Sequence, residues 1–365
     1  MPRVSIVIRT YFRAHLLRMI LESLTKLSYP KSLLETLIIA DSRDLQAIKV
    51  ANQFTKALDV KIHLVGVNSA THAWNRGILE STGEIISIMP DDIRVHPNTI
   101  DVALKHLRDP KVACVTFPAV TLKPSLPEKL HHWRFKGIIT KNTFSILVIS
   151  ICKRDALESV GLFREDMGPP YSLYEDWELG SRIRSKGYTI VADGTLLQEH
   201  LEYLDSEHKE KAEKAREKVK IKIIGLVKTH VTYQLKKNWW AFFAVMKVSP
   251  LIQKLEYLFY LLNPMGMIVI LIINPVYLVA YSLLLVLITE LNSFIRKYYI
   301  ELSPKERLIF PLILLSIRTL RTYLAIGGLI THLGRKMKVS FRNRTSKDTI
   351  KEVKYREPDT LLRST

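Results

Sequence analysis

Cysteine is scarce in this 365-residue chain, with Cys114 and Cys152 the only two. They show neither CxxC spacing nor nearby histidines at metal-ligand spacing. That excludes a zinc ribbon, a thioredoxin-type redox motif and a small disulfide-stapled fold, and the expectation is a pair of buried free thiols. Acidic residues are also few, 35 against 54 Lys and Arg, leaving a formal charge of +19. Such an excess suits nucleic acid or anionic lipid headgroups. Because the basic residues flank apolar spans, headgroups are the expected partner and nucleic acid is not. No internal repeat is evident. Room for a cleavable signal is missing as well, since Met1-Pro2-Arg3 runs directly into the apolar stretch Val4 to Ile8. The expected placement is therefore the cell membrane, with the catalytic half facing the cytoplasm.

Long hydrophobic runs are absent from the first two hundred residues and present after them. A content of 47% hydrophobic residues is enough for a substantial core. In the first part, short apolar runs alternate with helical patterns: Val4 to Ile8, a helix from Ala14 to Leu27, Thr36 to Ala40, a helix from Leu45 to Leu58, Ile62 to Val65, and Ile85 to Met89. This alternation predicts an α/β fold with a mostly parallel sheet and helices on both faces, in which ligands collect at the carboxyl ends of the strands. Polar residues stand at those ends: Thr10 and Tyr11 after the first strand, Asp41 and Ser42 after the second, Asp91 and Asp92 after the fourth.

Glu175 and Asp176 open an amphipathic helix whose inward face is Leu179 and Ile183, with Arg182, Arg184 and Lys186 toward water and Gly187 as its stop. Carboxylates in a first helical turn are stabilised by the dipole and the free N–H groups, so the pair is expected to be ionised near neutrality. A carboxylate so placed can take the proton of an attacking hydroxyl.

Several separate motifs, in order, carry a family likeness. They are Val4-Ser5-Ile6-Val7-Ile8-Arg9-Thr10-Tyr11, Leu37-Ile38-Ile39-Ala40-Asp41, Asn75-Arg76-Gly77-Ile78 with Gly83-Glu84-Ile85-Ile86, and Lys153 to Phe163 followed by Glu175-Asp176 and Gly187-Tyr188. Over residues 3 to 201 or so the chain resembles family 2 glycosyltransferases, inverting enzymes with the Rossmann-like GT-A fold. The resemblance implies a nucleotide-sugar site at Thr10, Tyr11, Asp41, Asn75, Arg76 and Asp91. It implies a base at Asp176 assisted by Glu175, and a divalent cation, Mg2+ or Mn2+, at Asp92 and His200. A cation held by one or two carboxylates plus phosphate oxygens would neutralise the diphosphate leaving group. The sequence departs from the family's DXD pattern at Pro90. His72, His96, His131 and His132 have weaker claims, the last two on a loop after Pro124 and Pro127.

The implied activity is transfer of a sugar to a hydroxyl of a lipid-linked or membrane-proximal glycan. The alternatives are a polyprenyl-phosphate acceptor or a non-catalytic nucleotide-sugar-binding membrane scaffold. Processive synthesis is disfavoured because no QxxRW-type motif follows the acid pair. The expected organisation is a catalytic domain over 1–205, a charged connecting helix and amphipathic interfacial helices over 206–262, transmembrane or re-entrant helices over 263–333, and a basic, poorly ordered tail over 334–365. Trp239, Trp240, Phe242 and Phe243 beside Lys236 and Lys237 suit a headgroup layer. Asn274-Pro275 interrupts the run from Asn263 to Thr289, leaving a kinked span or a re-entrant pair. Arg318 and Arg321 lie inside the run from Leu308 to Leu333, meeting lipid phosphate or snorkelling from an interfacial helix.

Overall fold

The computed structural model describes residues 1–66, 69–121, 135–141, 143, 149–165 and 175–201, with scattered helical positions between 255 and 330. Alternating side chains build its central sheet. In β1 (Val4–Arg9), Val4, Ile6 and Ile8 pack on one face and Val7 on the other, and none of the four is exposed. Strands β2 (Leu34–Asp41), β3 (Val60–Val65) and β4 (Ile85–Pro90) run parallel to β1 in the order β3-β2-β1-β4. Beyond β4 come β9 (Ile149–Lys153), β6 (Val112–Phe117), β10 (Thr189–Asp193) and β8 (Ile139–Lys141), completing eight strands, with β9 and β8 antiparallel to their neighbours.

Helices cover both faces, as the alternating pattern requires. One face carries α1 (Ala14–Thr25), α2 (Leu45–Gln53) and α4 (Thr99–Leu107), and the other α3 (Ala70–Glu80), α5 (Arg154–Ser159) and α6 (Glu175–Ser185). Helix α3 lies very close to the sheet. A Cβ on Gly77 would come within 2.2 Å of Val7 Cγ1, so the glycine of the Asn75-Arg76-Gly77 motif is required by packing. Helix α6 ends at Gly187, whose φ of +92° is the left-handed stop expected there.

A second sheet of three short strands, β5 (Ile93–Arg94), β11 (Gln198–His200) and β7 (Ala119–Val120), lies in the order β5-β11-β7. It fixes one partner of the candidate site, because His200 pairs with Ile93 and the Leu201 N–H donates to Asp92 O at 2.7 Å.

The expectation of free thiols is overturned. Cys114 and Cys152 face each other on antiparallel β6 and β9, their Cα atoms 4.0 Å apart, and form a disulfide. Their 38-residue separation conceals a contact that only the strand register creates.

The segments expected over 206–262, 263–333 and 334–365 lie outside the described residues apart from the scattered helical positions. Among the described residues no helix is long and apolar enough to cross a membrane.

Candidate active site

Strand order reverses at β1, which has β2 on one side and β4 on the other, so the crevice lies beyond their carboxyl ends. Thr10 leaves β1 with its N–H bonded to Ile39 O, and its hydroxyl donates to Asp91 Oδ2 at 2.7 Å. Arg13, just before α1, forks the two aspartates that follow β4. Its Nη1 donates to Asp92 Oδ2 at 2.9 Å and its Nη2 to Asp91 Oδ1. The other Asp92 oxygen, Oδ1, faces His200 Nε2 across 3.8 Å.

Asp91 is completely buried, and burial pushes its carboxyl up to about 6, opposed by Arg13 and Thr10 and reinforced by Asp92. Burial also works against charge on Arg13. Asp91 and Asp92 outweigh it, and the guanidinium is raised above its ordinary value.

The rim beyond β2 is built by neighbours the sequence did not single out. Asp41 is taken up by Arg43, whose Nε and Nη2 donate at 2.8 and 2.9 Å alongside its backbone N–H at 2.9 Å. Those hydrogen bonds lower Asp41 to about 2. Arg43 also lies 5.8 Å above the Phe12 ring, which packs edge-on against Tyr11 at 4.8 Å. Phe12 is left-handed (φ +52°) and half exposed. A bulky residue in that region is uncommon outside functional turns. Asp44 holds the turn, accepting from Phe12 N at 2.7 Å while capping α2 through Ala47 N at 3.0 Å.

Opposite stands the acid pair at the start of α6. Glu175 is raised by burial first and by the neighbouring Asp176 charge second, with Arg9 pulling the other way. The expectation of a fully ionised pair is therefore corrected, because desolvation and like charge outweigh what a helix N-terminus supplies. Arg182 is corrected too. Its side chain turns inward, pairing Glu178 through two hydrogen bonds at 2.7 Å and donating to Val160 O and to Leu162 O at 2.6 Å.

Asn75 serves the same clamp. Its amide donates to Phe163 O at 2.8 Å and Glu165 Oε1 at 3.0 Å, and its carbonyl accepts from Phe163 N at 2.9 Å. All of these Asn75 contacts lie in the α5–α6 connection, whereas Arg76 lies on the exposed face of α3, paired with Glu80 at 2.6 Å. The structure thus gathers Thr10, Asp91, Asp92 and His200 at one point and does not bring Arg76 to it. His72 and His96 have structural contacts, His72 with Glu165 at 3.1 Å and His96 accepting from Asn98 N at 3.2 Å. His131 and His132 lie outside the described residues.

Arg9 links the two acid groups. It ends β1 directly opposite Pro90. Burial lowers its guanidinium from the ordinary value, while Asp91, Glu175 and Asp92 all act on it in the opposite sense. Asp91, Asp92 and Glu175 are therefore all within electrostatic reach of one arginine.

The chain is similar to known proteins. The sequence model of the family described as "Glycosyltransferase like family 2" matches residues 2–218, more than half of the chain. The chain belongs to that family. Glycosyltransferase AglE of Haloferax volcanii is 25% identical over 171 residues, which is 45% of this chain and 56% of AglE. The match thus spans little more than half the length of that relative. Among solved structures, mannosyltransferase PcManGT from Pyrobaculum calidifontis, in complex with GDP-Man and Mn2+, covers 91% of this chain and 87% of its own, at a TM-score of 0.51 and 16% identity. S. aureus TarS 1-349 covers 54% of this chain and 60% of its own, at a TM-score of 0.46 and 14% identity. The likeness to PcManGT is one of fold, and with the family match it gives this chain a GT-A-like α/β fold.

For a member of this family the donor set can be tested against a divalent cation. One carboxylate oxygen and one imidazole nitrogen facing each other suit Mn2+ or Mg2+ when water and phosphate oxygens complete the shell. Among the described residues no group of three or more such side chains gathers, so substrate oxygens would have to contribute. Pro90 supplies no carboxylate, and its place opposite Arg9 makes that edge of the crevice more cationic than a third aspartate would.

Proposed function

We propose that this chain is a membrane-bound inverting glycosyltransferase that moves a sugar from a nucleotide-sugar donor to a hydroxyl of a lipid-linked or membrane-proximal glycan. The observation that carries the reading is that Asp91 and Asp92, and from the other acid pair Glu175, all bear on the charge of Arg9 while lying in different surroundings. One pair, Asp91 and Asp92, is met by Arg13, Thr10 and His200, groups suited to a diphosphate and its cation. The other, Glu175 and Asp176, opens a helix that is clamped in place, as a base acting on an acceptor must be.

In this reading the Thr10–Tyr11 turn and Asp41 border the nucleotide, and Asp92 with His200 would hold Mg2+ or Mn2+. The bound cation would supply charge neutralisation for the leaving diphosphate. Asp176 takes the proton of the acceptor hydroxyl as its oxygen bonds to the anomeric carbon. The anomeric C–O bond to phosphate breaks from the opposite side, its electron pair leaves with the nucleoside diphosphate, and the configuration inverts. AglE supports the glycosyltransferase class by its name, and PcManGT, with its GDP-Man and Mn2+, supports a nucleotide-sugar donor and a divalent cation.

The membrane part rests on the apolar runs and on five described helical positions. Leu255, Leu258, Leu262, Met265 and Ile272 are apolar and between 48% and 79% exposed. Exposed apolar side chains of this kind suit an acyl layer.

A transfer screen tests the proposal: full-length protein in membranes, a panel of nucleotide sugars, Mn2+ or Mg2+, and both hydroxyl and lipid-phosphate acceptors. Metal-dependent transfer to a hydroxyl, abolished in Asp92→Asn, is the expected outcome. Transfer to lipid phosphate alone would overturn the acceptor assignment, and donor binding without any turnover would favour a scaffold.

A further inference from the structure

The residue that holds Asp92 in this structure is itself a cation. Arg13 occupies one oxygen of Asp91 and one of Asp92, so the acid pair is already partly neutralised by the chain. Its backbone is fixed, because the Arg13 carbonyl accepts the N–H groups of Leu16 and Leu17 at the head of α1. Its side chain is about one quarter exposed, so the guanidinium can leave the aspartates without unfolding the helix. A divalent ion arriving between Asp92 and His200 meets this guanidinium on the same carboxylate, and two cations on one carboxyl repel unless further negative charge arrives. A diphosphate supplies that charge, and a forked guanidinium pairs with phosphate oxygens as readily as with carboxylates.

We propose that Arg13 and the divalent cation compete for Asp92, and that the donor diphosphate resolves the competition by taking Arg13 onto its own oxygens. Arg13 is then a positioning residue that couples cation binding to donor binding and keeps the cation weakly held when no donor is present. The inference rests on the cation assignment above, and the experiment separates the two.

Mn2+ binding to the full-length protein would be followed by the electron paramagnetic resonance signal of free Mn2+, with and without GDP or UDP, for wild type, Arg13→Gln, Arg13→Lys and Asp92→Asn. Without nucleotide, Arg13→Gln should bind Mn2+ about tenfold tighter than wild type, since a charge-assisted competitor has gone. The tightening that wild type gains from GDP or UDP should be largely lost in the same variant. Arg13→Lys keeps the charge but cannot fork two carboxylates, so it should fall between, and it decides the matter if Arg13→Gln does not fold. Mn2+ bound no more tightly by either Arg13 variant than by wild type overturns the competition and leaves the cation assignment standing. Unchanged Mn2+ binding in Asp92→Asn removes the cation from Asp92 and overturns both.

Discussion

Buried carboxylates sit at both edges of the central sheet, and the two edges treat them in opposite ways. At the amino edge Glu35 is completely buried and receives Ser5 Oγ, the Thr82 N–H and hydroxyl, the Gly83 N–H at 3.1 Å and Lys61 Nζ at 3.1 Å. Burial alone would raise its pKa, but those donors together outweigh burial and bring it down to about 2. At the carboxyl edge burial prevails. Asp91 is raised to about 6 in spite of Arg13 and Thr10, and Glu175 is raised by burial and by Asp176. An acid surrounded by donors serves the fold, whereas acids left with raised pKa values in a crevice are poised to exchange protons or ligands. The amino edge is built for stability, and the carboxyl edge has the electrostatics that the proposed chemistry needs.

The largest effect that tests this contrast is expected at Asp176. If Asp176 is the proposed base, Asp176→Asn should lower transfer about a hundredfold or more, the usual contribution of a general base, with donor affinity near wild type because a base there would act on the acceptor. Steady-state kinetics with a separate donor titration would check it. Near-normal transfer by the variant would remove the need for a base and favour an acceptor that is already ionised.

Glu35→Gln addresses the opposite edge, where stability and not chemistry should respond. The folded pKa of Glu35 lies below its unfolded value, so its contribution is present above about pH 4.5 and is lost as the pH falls toward 2. The variant should lose about 3 kcal/mol at pH 7, a figure that follows from the size of the shift. The gap from wild type should close by pH 2, as followed by thermal or denaturant unfolding. A Glu35→Gln protein of unchanged stability would break the comparison at its amino end.

The layout of these edges was legible in the sequence to the extent that periodicity reports it. Alternation in Val4 to Ile8 and the polar residues after each strand placed Thr10, Asp91 and Asp92 at one crevice, and the structure brings them together. Two kinds of information were not there. Contacts made by strand register, such as Cys114 with Cys152, depend on pairing that linear spacing does not encode, and His200 beside Asp92 was reached through the family resemblance alone. Electrostatic outcomes depend on burial. Helix-terminus reasoning made Glu175 an ordinary ionised acid, and only the packed site reveals the desolvation that raises it. Arg13 reads as one more basic residue before a helix until Asp91 and Asp92 are seen on either side of its fork. Phe12 and Asp44 could have been suspected from their places beside strand ends, but nothing in the sequence signals a left-handed aromatic residue.

The smallest effect, and the sharpest test of the carboxyl edge, is expected from Glu175→Gln. With the folded pKa of Glu175 above its unfolded value of 4.5, the folded protein keeps a proton that the unfolded chain has lost as the pH rises toward neutrality. Native Glu175 therefore lowers stability across that window and beyond it, and has no effect below about pH 4. Glu175→Gln should consequently be more stable than wild type at pH 8 and equal to it at pH 4. This is the reverse of Glu35→Gln in both sign and pH range. Transfer should fall less than in Asp176→Asn, because the proposed base itself is retained. If Glu175→Gln were instead destabilised at pH 8, Glu175 would belong with Glu35 as a structural acid, and the division between the two edges of the sheet would fail at the point where it matters most for catalysis.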